Sequence, residues 1–400
     1  MKYSVLSLSI LISLGLLAGC NDDDNDHPAN NGAPGSSLAT DGKAQLRVFH
    51  AVADAPDVNV RANGGTVLTG VPYAAASALI GVMPDTYSVA VDGILPNGTA
   101  TVIGPAEIKL SDDQITNVLA VNTLANIEPL VVTVPEISVA KDSVRLTVTH
   151  AAAAAPAVDV YVTAPAAGLS EPVGEFAFKQ TLGPVTIPAG TYRIRVTLPN
   201  SDRIVFDSGA SGLPLAGGSD LFLAAIENTG PGQSPIELLV ADGKASSLIQ
   251  DSATPADLKV VHAAPSVGAA EVFVSSPSLN LANVELINSL NYLQQTPAEG
   301  SLGVRPANDY QVAVAQDGTG IGAALINVGP VALKAGAEYT AIASGGSNGE
   351  AATLLLTQDD NRAIATEARV KVIHAAPDAG TVNIFVTPAD TVSTTQILNG

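Results

Sequence analysis

The chain has 400 residues, a formal net charge of −20 and only 14% charged residues. This length allows several domains, each large enough for its own core. The negative charge argues against a nucleic-acid partner, because a phosphate backbone selects Lys and Arg. It also disfavours adsorption on an anionic membrane surface. We therefore expect a weakly charged exterior and a partner other than nucleic acid.

The N-terminus is predicted to be a lipoprotein signal peptide covering residues 1–19. Lys2 supplies the positive end, and residues 5–18 form an apolar run that is short for a permanent membrane-spanning helix. Residues 17–20, Leu-Ala-Gly-Cys, resemble the bacterial lipobox. This resemblance implies that Cys20 becomes linked to diacylglycerol and is the first residue after cleavage. The alternative is a secretory signal that ends near a cysteine by chance.

Residues 20–43 are predicted to be a lipid-anchored flexible tether, because they are polar, rich in Gly and Pro, and without periodicity. The acidic run at 22–26 lacks the Gly and the final Glu of an EF-hand loop, so we interpret it as solvated. Cys20 is the only cysteine, so the domains must be stable without disulfides. We expect the protein in the cell envelope, at the outer membrane.

Four histidines mark four copies of one sequence pattern. Each is preceded by a strand-like run and followed by Ala, and they stand at His50, His150, His262 and His374. The spacings, 100, 112 and 112 residues, are those of a domain and not of a small solenoid repeat. They predict domains at 44–141, 142–252 and 253–365, and the start of an incomplete fourth copy at 366–400.

The first strand of each copy alternates between apolar and polar residues. In the first copy Leu46, Val48 and His50 share one face and Arg47 lies on the other. This period of two is typical of an antiparallel sheet with one buried and one solvated face. The polar face is predicted to carry the equivalent residues Arg145, Thr147, Lys259 and Lys371.

A second strand follows in each copy, with Arg61, Tyr161, Phe273 and Phe385 at its outward position. A third element begins at a Pro turn and continues as a strand that opens on a tyrosine, at Tyr87, Tyr192 and Tyr310. Two further apolar strands close each copy. About seven short strands per copy predict an all-β fold of tandem Ig-like or transthyretin-like β-sandwich domains. Small β-barrels are the alternative.

The fourth copy holds only two predicted strands before Gly400. Two strands do not make a stable sandwich. We therefore expect the native chain to continue beyond Gly400, and an intact mass that ends there would contradict this.

The Lys/Arg-Val-x-His-Ala and Ala-Pro motifs, together with the strand that opens on tyrosine, resemble the DUF4397 family over residues 44–400. The resemblance implies β-rich domains, found in tandem on secreted or lipid-anchored bacterial proteins, and it implies no activity. The second copy departs from the pattern with an all-alanine loop after His150, and the third and fourth copies are shorter there.

The four histidines have three possible roles: a structural bond to the following loop, metal binding, or general base catalysis. Asp54, Asp57 and Asp378 are candidate partners, but the second copy offers only alanines and the third only Ser266. A partner that changes between copies favours the structural role. The three tyrosines are likewise interpreted as core residues whose hydroxyls bond a neighbouring loop, as in the tyrosine corner; ligand contact is the alternative.

Two weaker hypotheses concern the surface. Asp359, Asp360 and Asn361 are candidate calcium ligands at a domain joint, with a solvated hinge as the alternative. The aromatic residues of the second strands are either covered by neighbours or form a contact patch.

The sequence contains no His-Glu-x-x-His, Gly-x-Ser-x-Gly or P-loop motif and no cysteine pair. We therefore predict a non-enzymatic, cofactor-free cell-envelope protein. It would be bound to the membrane through the lipid on Cys20 and act as a spacer or as an interaction or adhesion module for a surface protein or glycan. The alternatives are a ligand- or glycan-binding module that assists a surface enzyme, and a hydrolase with an unrecognised site.

Overall fold

The computed structural model describes residues 42–346, 351–385 and 387. Its first nine strands make two sheets between residues 44 and 135, which we call the first domain. One sheet has the order β4-β1-β8-β9, with β5 also paired to β1, and the other has the order β3-β2-β6-β7. The strands are β1 (Ala44–His50), β2 (Val58–Ala62), β3 (Gly65–Val71), β4 (Ala75–Ala76), β5 (Ile80–Val82), β6 (Asp85–Leu95), β7 (Gly98–Leu110), β8 (Gln114–Val121) and β9 (Glu128–Pro135).

The second domain, residues 143–249, contains ten strands. They are β10 (Ser143–His150), β11 (Val158–Thr163), β12 (Gly174–Phe176), β13 (Thr181–Pro188), β14 (Gly190–Thr197), β15 (Ile204–Asp207), β16 (Leu213–Leu215), β17 (Ser219–Glu227), β18 (Ile236–Ala241) and β19 (Ser246–Ile249). Its sheets have the orders β13-β10-β17-β18-β19 and β12-β11-β14-β15, and β16 also pairs with β14.

The third domain, residues 256–359, has nine strands. They are β20 (Ala256–Ala263), β21 (Ala270–Ser276), β22 (Leu281–Leu290), β23 (Gln295–Thr296), β24 (Leu302–Val304), β25 (Ala307–Gln316), β26 (Ile326–Leu333), β27 (Glu338–Ser344) and β28 (Thr353–Asp359). Its sheets have the orders β23-β20-β27-β28, with β24 also paired to β20, and β22-β21-β25-β26. The helical segments described are five 3₁₀ turns: Leu124–Asn126, Pro265–Val267, Pro277–Leu279, Ile321–Ala323 and Pro377–Ala379.

The all-β prediction is confirmed, and each domain in the described part of the chain is a pair of separate sheets and not a closed barrel. One detail of the sheet prediction is wrong. The histidine strand pairs in parallel with a strand from the end of its own domain: β1 with β8, β10 with β17 and β20 with β27. The three sheets that contain a histidine strand are therefore mixed, because a strand that arrives from the end of the domain is not limited to hairpin pairing. The other three sheets pair in antiparallel fashion.

The core of each domain lies between its two sheets and follows the predicted alternation. In β20 buried and half-buried residues alternate along the whole strand, with Leu258, Val260 and His262 facing inward. The equivalent inward residues of the first domain are Leu46, Val48 and His50, which are also buried. Period-two burial therefore places each histidine at the inner end of its strand.

The opposite face was predicted to be solvated, and in the first two domains this is wrong. Arg47 is 3% exposed, Arg145 2% and Thr147 1%. The outer faces of the two histidine-bearing sheets pack against each other through a shared cluster that includes Phe49, Leu119 and Phe222. The strands β8 and β17 are buried on both faces for this reason.

The fourth copy does not form its predicted strands in the described residues. Between 366 and 385 the backbone contains a 3₁₀ turn and an isolated bridge at Ile384, and Val370 is 76% exposed. Cys20, the signal peptide and the tether up to residue 41 lie outside the described residues. Within the described part, no helix has the length and apolar character needed to cross a membrane.

Candidate functional site

Each histidine ring closes the loop that follows its strand. The ring Nε2 atom lies within hydrogen-bond distance of the carbonyl oxygen six residues later. The distances are 3.0 Å for His50 to Pro56, 3.0 Å for His150 to Pro156, 2.6 Å for His262 to Gly268 and 2.7 Å for His374 to Gly380. The fourth loop has this geometry without a surrounding sheet, so the bond is a property of the local sequence.

The second ring nitrogen defines the tautomer in three copies. The backbone N–H two residues after the histidine donates to Nδ1, at 3.3 Å for His50, 3.2 Å for His262 and 3.4 Å for His374. Since Nδ1 accepts a hydrogen bond, the proton is assigned to Nε2, which donates it to the carbonyl. Both nitrogens of these three rings are therefore occupied by backbone groups.

The second copy differs at this nitrogen. His150 Nδ1 is buried and has no hydrogen-bond partner among the described residues. Burial lowers the pKa of both His150 and His50, because the surrounding protein disfavours the charged ring. The nearby Arg362 guanidinium lowers the pKa of His50 further.

An aromatic ring packs edge-on against three of the histidines. The pairs are His50–Tyr73, His150–Phe178 and His262–Tyr292, with centroids 6.1, 6.4 and 6.0 Å apart and interplanar angles of 87°, 80° and 82°. These aromatics form a second repeat that sequence reasoning missed.

The residue after each aromatic has a left-handed backbone, at Ala74, Lys179 and Leu293, and donates its N–H to the histidine carbonyl. The sequence signal for this repeat is an aromatic 23 to 30 residues after each of the first three histidines. The left-handed residue is Ala, Lys or Leu, none of which is a typical turn residue.

This geometry leaves little for the histidines to do chemically. A metal ligand or general base needs a free ring nitrogen, and in three copies both nitrogens are engaged. Asp54, a candidate partner, accepts a hydrogen bond from the Leu124 N–H at 2.7 Å. In the described ranges no three His, Cys, Asp or Glu side chains lie close enough together to hold a metal ion.

The three tyrosines also bond backbone. Tyr87 donates its hydroxyl proton to Met83 O at 2.9 Å, Tyr192 to Pro188 O at 2.8 Å and Tyr310 to Arg305 O at 2.7 Å. Each bond ties the start of the tyrosine strand to the turn before it. Burial raises the pKa of Tyr310.

The outward residues of the second strands have different surroundings in each copy. Arg61 forms an ion pair with Asp92 at 2.5 Å. Tyr161 is buried, and Phe273 packs with Ala313, Ala315 and the 3₁₀ turn at Ile321–Ala323. Phe385 is exposed. In the three domains, neighbouring residues pair with or cover this position.

The contact between the first and second domains is centred on a buried arginine. Arg47 donates to Asn117 Oδ1 at 2.9 Å and to Ala241 O at 3.0 Å. Its guanidinium lies 5.4 Å from the Phe49 centroid and 5.6 Å from the Phe222 centroid. Burial lowers the pKa of Arg47 to about 10, so the side chain stays charged at neutral pH. The sequence signal was the apolar run at 118–121 in β8 and at 221–226 in β17, which is typical of strands buried on both faces.

A second contact brings the segment after the third domain back to the first domain. Arg362 donates to Ala53 O at 2.9 Å and to Ala55 O at 2.8 Å, in the loop closed by His50. Its guanidinium lies 5.3 Å from the centroid of Tyr73, and Ala365 N–H donates to Asp54 O at 2.8 Å. The hydroxyl of Tyr73 donates in turn to Glu227 O of the second domain. This junction therefore links all three domains.

The calcium candidates are near cationic side chains. Asp359 pairs with Lys371 and Asp360 with Arg369, and the Asn361 N–H donates to Glu338 Oε2 at 3.2 Å. Calcium binding at this joint stays a prediction, and these ion pairs do not favour it.

Sequence comparison places the chain in a family. The profile described as "Domain of unknown function (DUF4397)" matches residues 44–161 and 256–385. The chain belongs to the DUF4397 family. Each match runs from one histidine strand to the second-strand region of the next copy, so each DUF4397 match includes two histidine loops. The resemblance inferred from the motifs is thereby confirmed as tandem DUF4397 domains.

Solved structures similar to this DUF4397 chain include two proteins from Bacteroides and one from Bacillus. Candidate cell adhesion proteins from Bacteroides uniformis ATCC 8492 and Bacteroides ovatus ATCC 8483 show 15% and 13% identity over 55% of this chain and 97% of theirs, with TM-scores of 0.22 and 0.20. The Bacillus anthracis TIE protein shows 11% identity over 75% of this chain and 50% of its own, with a TM-score of 0.17. Scores this low say nothing about function. No curated protein shows significant similarity to the chain.

Proposed function

We propose that the protein is a non-catalytic interaction module of the cell envelope, anchored through a lipid on Cys20, whose three domains act as one block. The observation that carries the proposal is the buried contact between domains. The first domain packs on the second through Arg47 and Phe222, and Arg362 ties the third back to the first. Such contacts present several loops in constant relative positions, which helps recognition because less order is lost on binding.

The state of the histidines supports a non-catalytic role. Catalysis needs a titratable group within reach of substrate and able to exchange its proton. His50 and His262 use both ring nitrogens on backbone, and His150 is buried with its Nε2 on Pro156 O. The histidine side chains hold the loops that follow their strands in place. We therefore assign recognition to these loops and not to the histidines.

The domain contacts favour an interaction module over a spacer. A spacer gains reach when its domains meet end to end through small contacts. Here the faces of two sheets are buried against each other, and the segment after the third domain returns to the first. This arrangement makes the three domains shorter as a chain but holds them in fixed relative positions.

A protein partner is favoured over a glycan. Glycan sites generally present exposed aromatic platforms, and the chain has no Trp. Tyr161 and Phe273 are buried by their neighbours, and Tyr73 is covered by Arg362. The possible glycan contact is therefore the second candidate.

The test uses bacterial cells that produce the full chain or its Cys20→Ser variant. We expect the full chain in the membrane fraction with a lipid-modified N-terminal cysteine by mass spectrometry. A membrane-impermeant amine cross-linker on intact cells should give discrete protein adducts. The Cys20→Ser variant should lose both the lipid and the adducts.

Three outcomes contradict the proposal. An unmodified Cys20 removes the anchor. A lipidated, surface-exposed chain that gives no protein adduct supports the spacer instead, and adducts that disappear after enzymatic removal of surface glycans support the glycan alternative. As a matched control, Lys244→Arg keeps the positive charge but removes one exposed amine, and it should leave the adduct pattern unchanged.

A further inference from the structure

The interior of the third domain contains an apolar cavity that is much larger than the corresponding space in the other two domains. Its volume is about 200 Å³, against about 20 and 30 Å³ at the corresponding place in the first and second domains. The lining comes from both sheets and is almost entirely aliphatic, for example Leu258, Val272, Val312 and Leu354. The three domains share the parallel pairing of the histidine strand, so the side chains at equivalent positions of these strands can be compared.

One alanine accounts for part of this space. The inward residue two positions before the histidine pairs with Val118 in the first domain, with Leu223 in the second and with Ala341 in the third. Ala341 is buried and lines the cavity. The third domain therefore lacks two or three carbons at the centre of its core.

A second alanine enlarges the cavity further. Eight residues after the histidine stand Val58, Val158 and Ala270, and Ala270 also lines the cavity. Relative to the second domain the cross-strand neighbour is also smaller, since Phe176 pairs with Val158 and Leu290 with Ala270. The first domain has Val71 opposite Val58, so there the difference lies at the alanine alone. Two alanines, Ala270 and Ala341, thus replace larger residues in the lining of the cavity.

The cavity reaches the surface beside a single charged side chain. Of the residues that line it, Val284 is 43% exposed and Arg305 is exposed. Arg305 donates to Leu279 O at 3.0 Å, which holds its guanidinium next to the turn before β22. The residues that precede the same turn proline in the other domains are Met83 and Ile187. A cation therefore stands at the mouth only where the cavity exists.

We propose that the third domain binds a free medium-chain carboxylic acid, with its alkyl chain in the cavity and its carboxylate on Arg305. An aliphatic cavity stays dry and takes up apolar molecules, and one of about 150 Å³ holds the six carbons of benzene. Scaling by volume, this cavity accommodates about eight carbons. Guanidinium is the side chain best suited to pair with a carboxylate. This site is independent of the interaction function proposed above.

The test uses the full chain in phosphatidylcholine vesicles and a diazirine analogue of octanoic acid. After illumination, peptide mapping should place the label on residues 256–359 and not on the first two domains. Ala341→Leu, which copies the second domain, should lower labelling at least tenfold without lowering the melting temperature. Ala270→Val is a smaller filling of the same cavity and should lower labelling as well, so the proposal is testable even if Ala341→Leu does not fold.

The matched control is Leu223→Ala, which opens the second domain in the same position and should create labelling there. Octanoate should compete with the probe better than 1-octanol does, and Arg305→Gln should abolish this preference. Labelling that persists in both filling variants, or absent labelling of residues 256–359, overturns the cavity site. If octanoate still competes better than 1-octanol in Arg305→Gln, the proposed contact between the carboxylate and Arg305 is overturned. Stronger labelling by a diazirine-bearing phospholipid than by the free acid assigns the site to membrane acyl chains and overturns the proposed ligand.

Discussion

In the first domain, the outward residues of β1 are Arg47 and Phe49, and both are buried against the second domain. In the third domain the corresponding residues of β20 are Lys259 and Val261, which are only half-buried. The inward residues of the two strands are the same types: Leu, Val and His. Inward residues thus define the sandwich, while outward residues decide whether the sandwich associates with a neighbour.

The largest effect is expected from a substitution in the buried contact between the first and second domains. Phe222→Ala removes a fully buried ring that lies 4.9 Å from Phe49 between the first two domains. We expect a loss of about 3–5 kcal/mol in the free energy of unfolding, because the cavity cannot collapse between two sheets. Denaturant titration of the full chain measures it. Leu355→Ala, on the outer face of the third domain and 39% exposed, is the control and should cost under about 1 kcal/mol. Equal costs would show that the interface is not buried in solution.

A smaller effect is expected at the histidine loops. His50→Ala leaves Pro56 O and the Val52 N–H without their partner inside the protein. This should cost about 2–4 kcal/mol, because two buried polar groups lose hydrogen bonds. His374→Ala removes the same bonds from an exposed loop and should leave the melting of the three domains unchanged. A His50→Ala protein that melts like the wild type would contradict the structural role.

A substitution of Arg47 tests how much the hydrogen bonds of the buried contact contribute to stability. Arg47→Met keeps much of the packing against Phe49 and Phe222 but leaves Ala241 O and Asn117 without their donor. The expected loss is about 1.5–3 kcal/mol, the usual range for a hydrogen bond to a charged group. Lys259→Met in the third domain should stay within about 0.5 kcal/mol of the wild type. The two variants are compared by chemical denaturation at neutral pH.

The smallest expected effect is a dependence of stability on pH. Burial lowers the pKa of His50 and His150 in the folded state, while the unfolded chain has the ordinary value of about 6.5. Between these values the unfolded chain binds more protons. The contribution to stability is therefore complete above about pH 6.5 and is lost as the pH falls through the lowered folded pKa. The melting temperature should decrease from pH 7.5 to pH 5.5.

The double variant His50→Gln/His150→Gln is the control for this pH effect. Its melting temperature should show a weaker decrease over the same range. Glu237 opposes the histidines, because burial raises its pKa and its protonation in acid stabilises the fold. An unchanged decrease in the double variant would assign the effect to carboxylates.

Much of the fold was predictable because each strand carries its own burial pattern. The alternation of Leu46, Val48 and His50 was enough to predict an inward histidine, and the spacing of the four copies was enough to predict tandem domains. The parallel pairing of β1 with β8 was not predictable, since strand order depends on contacts between residues about 70 positions apart. The aromatic partners Tyr73, Phe178 and Tyr292 were missed for the same reason.

The chain by itself determined the sandwich units, because alternation along a strand and a six-residue histidine loop are local properties, and the loop at His374 forms even without a sheet. Only the tertiary structure decided which outward faces are covered and which core is underfilled. The sequence pattern predicts a solvated Arg47, and only the contact with the second domain shows that it is buried. Ala341 looks like any other strand residue in the sequence, and only the structure shows that it lines a cavity. The burial of a residue and the volume of a cavity depend on segments that are far apart in the sequence, so no single segment determines them.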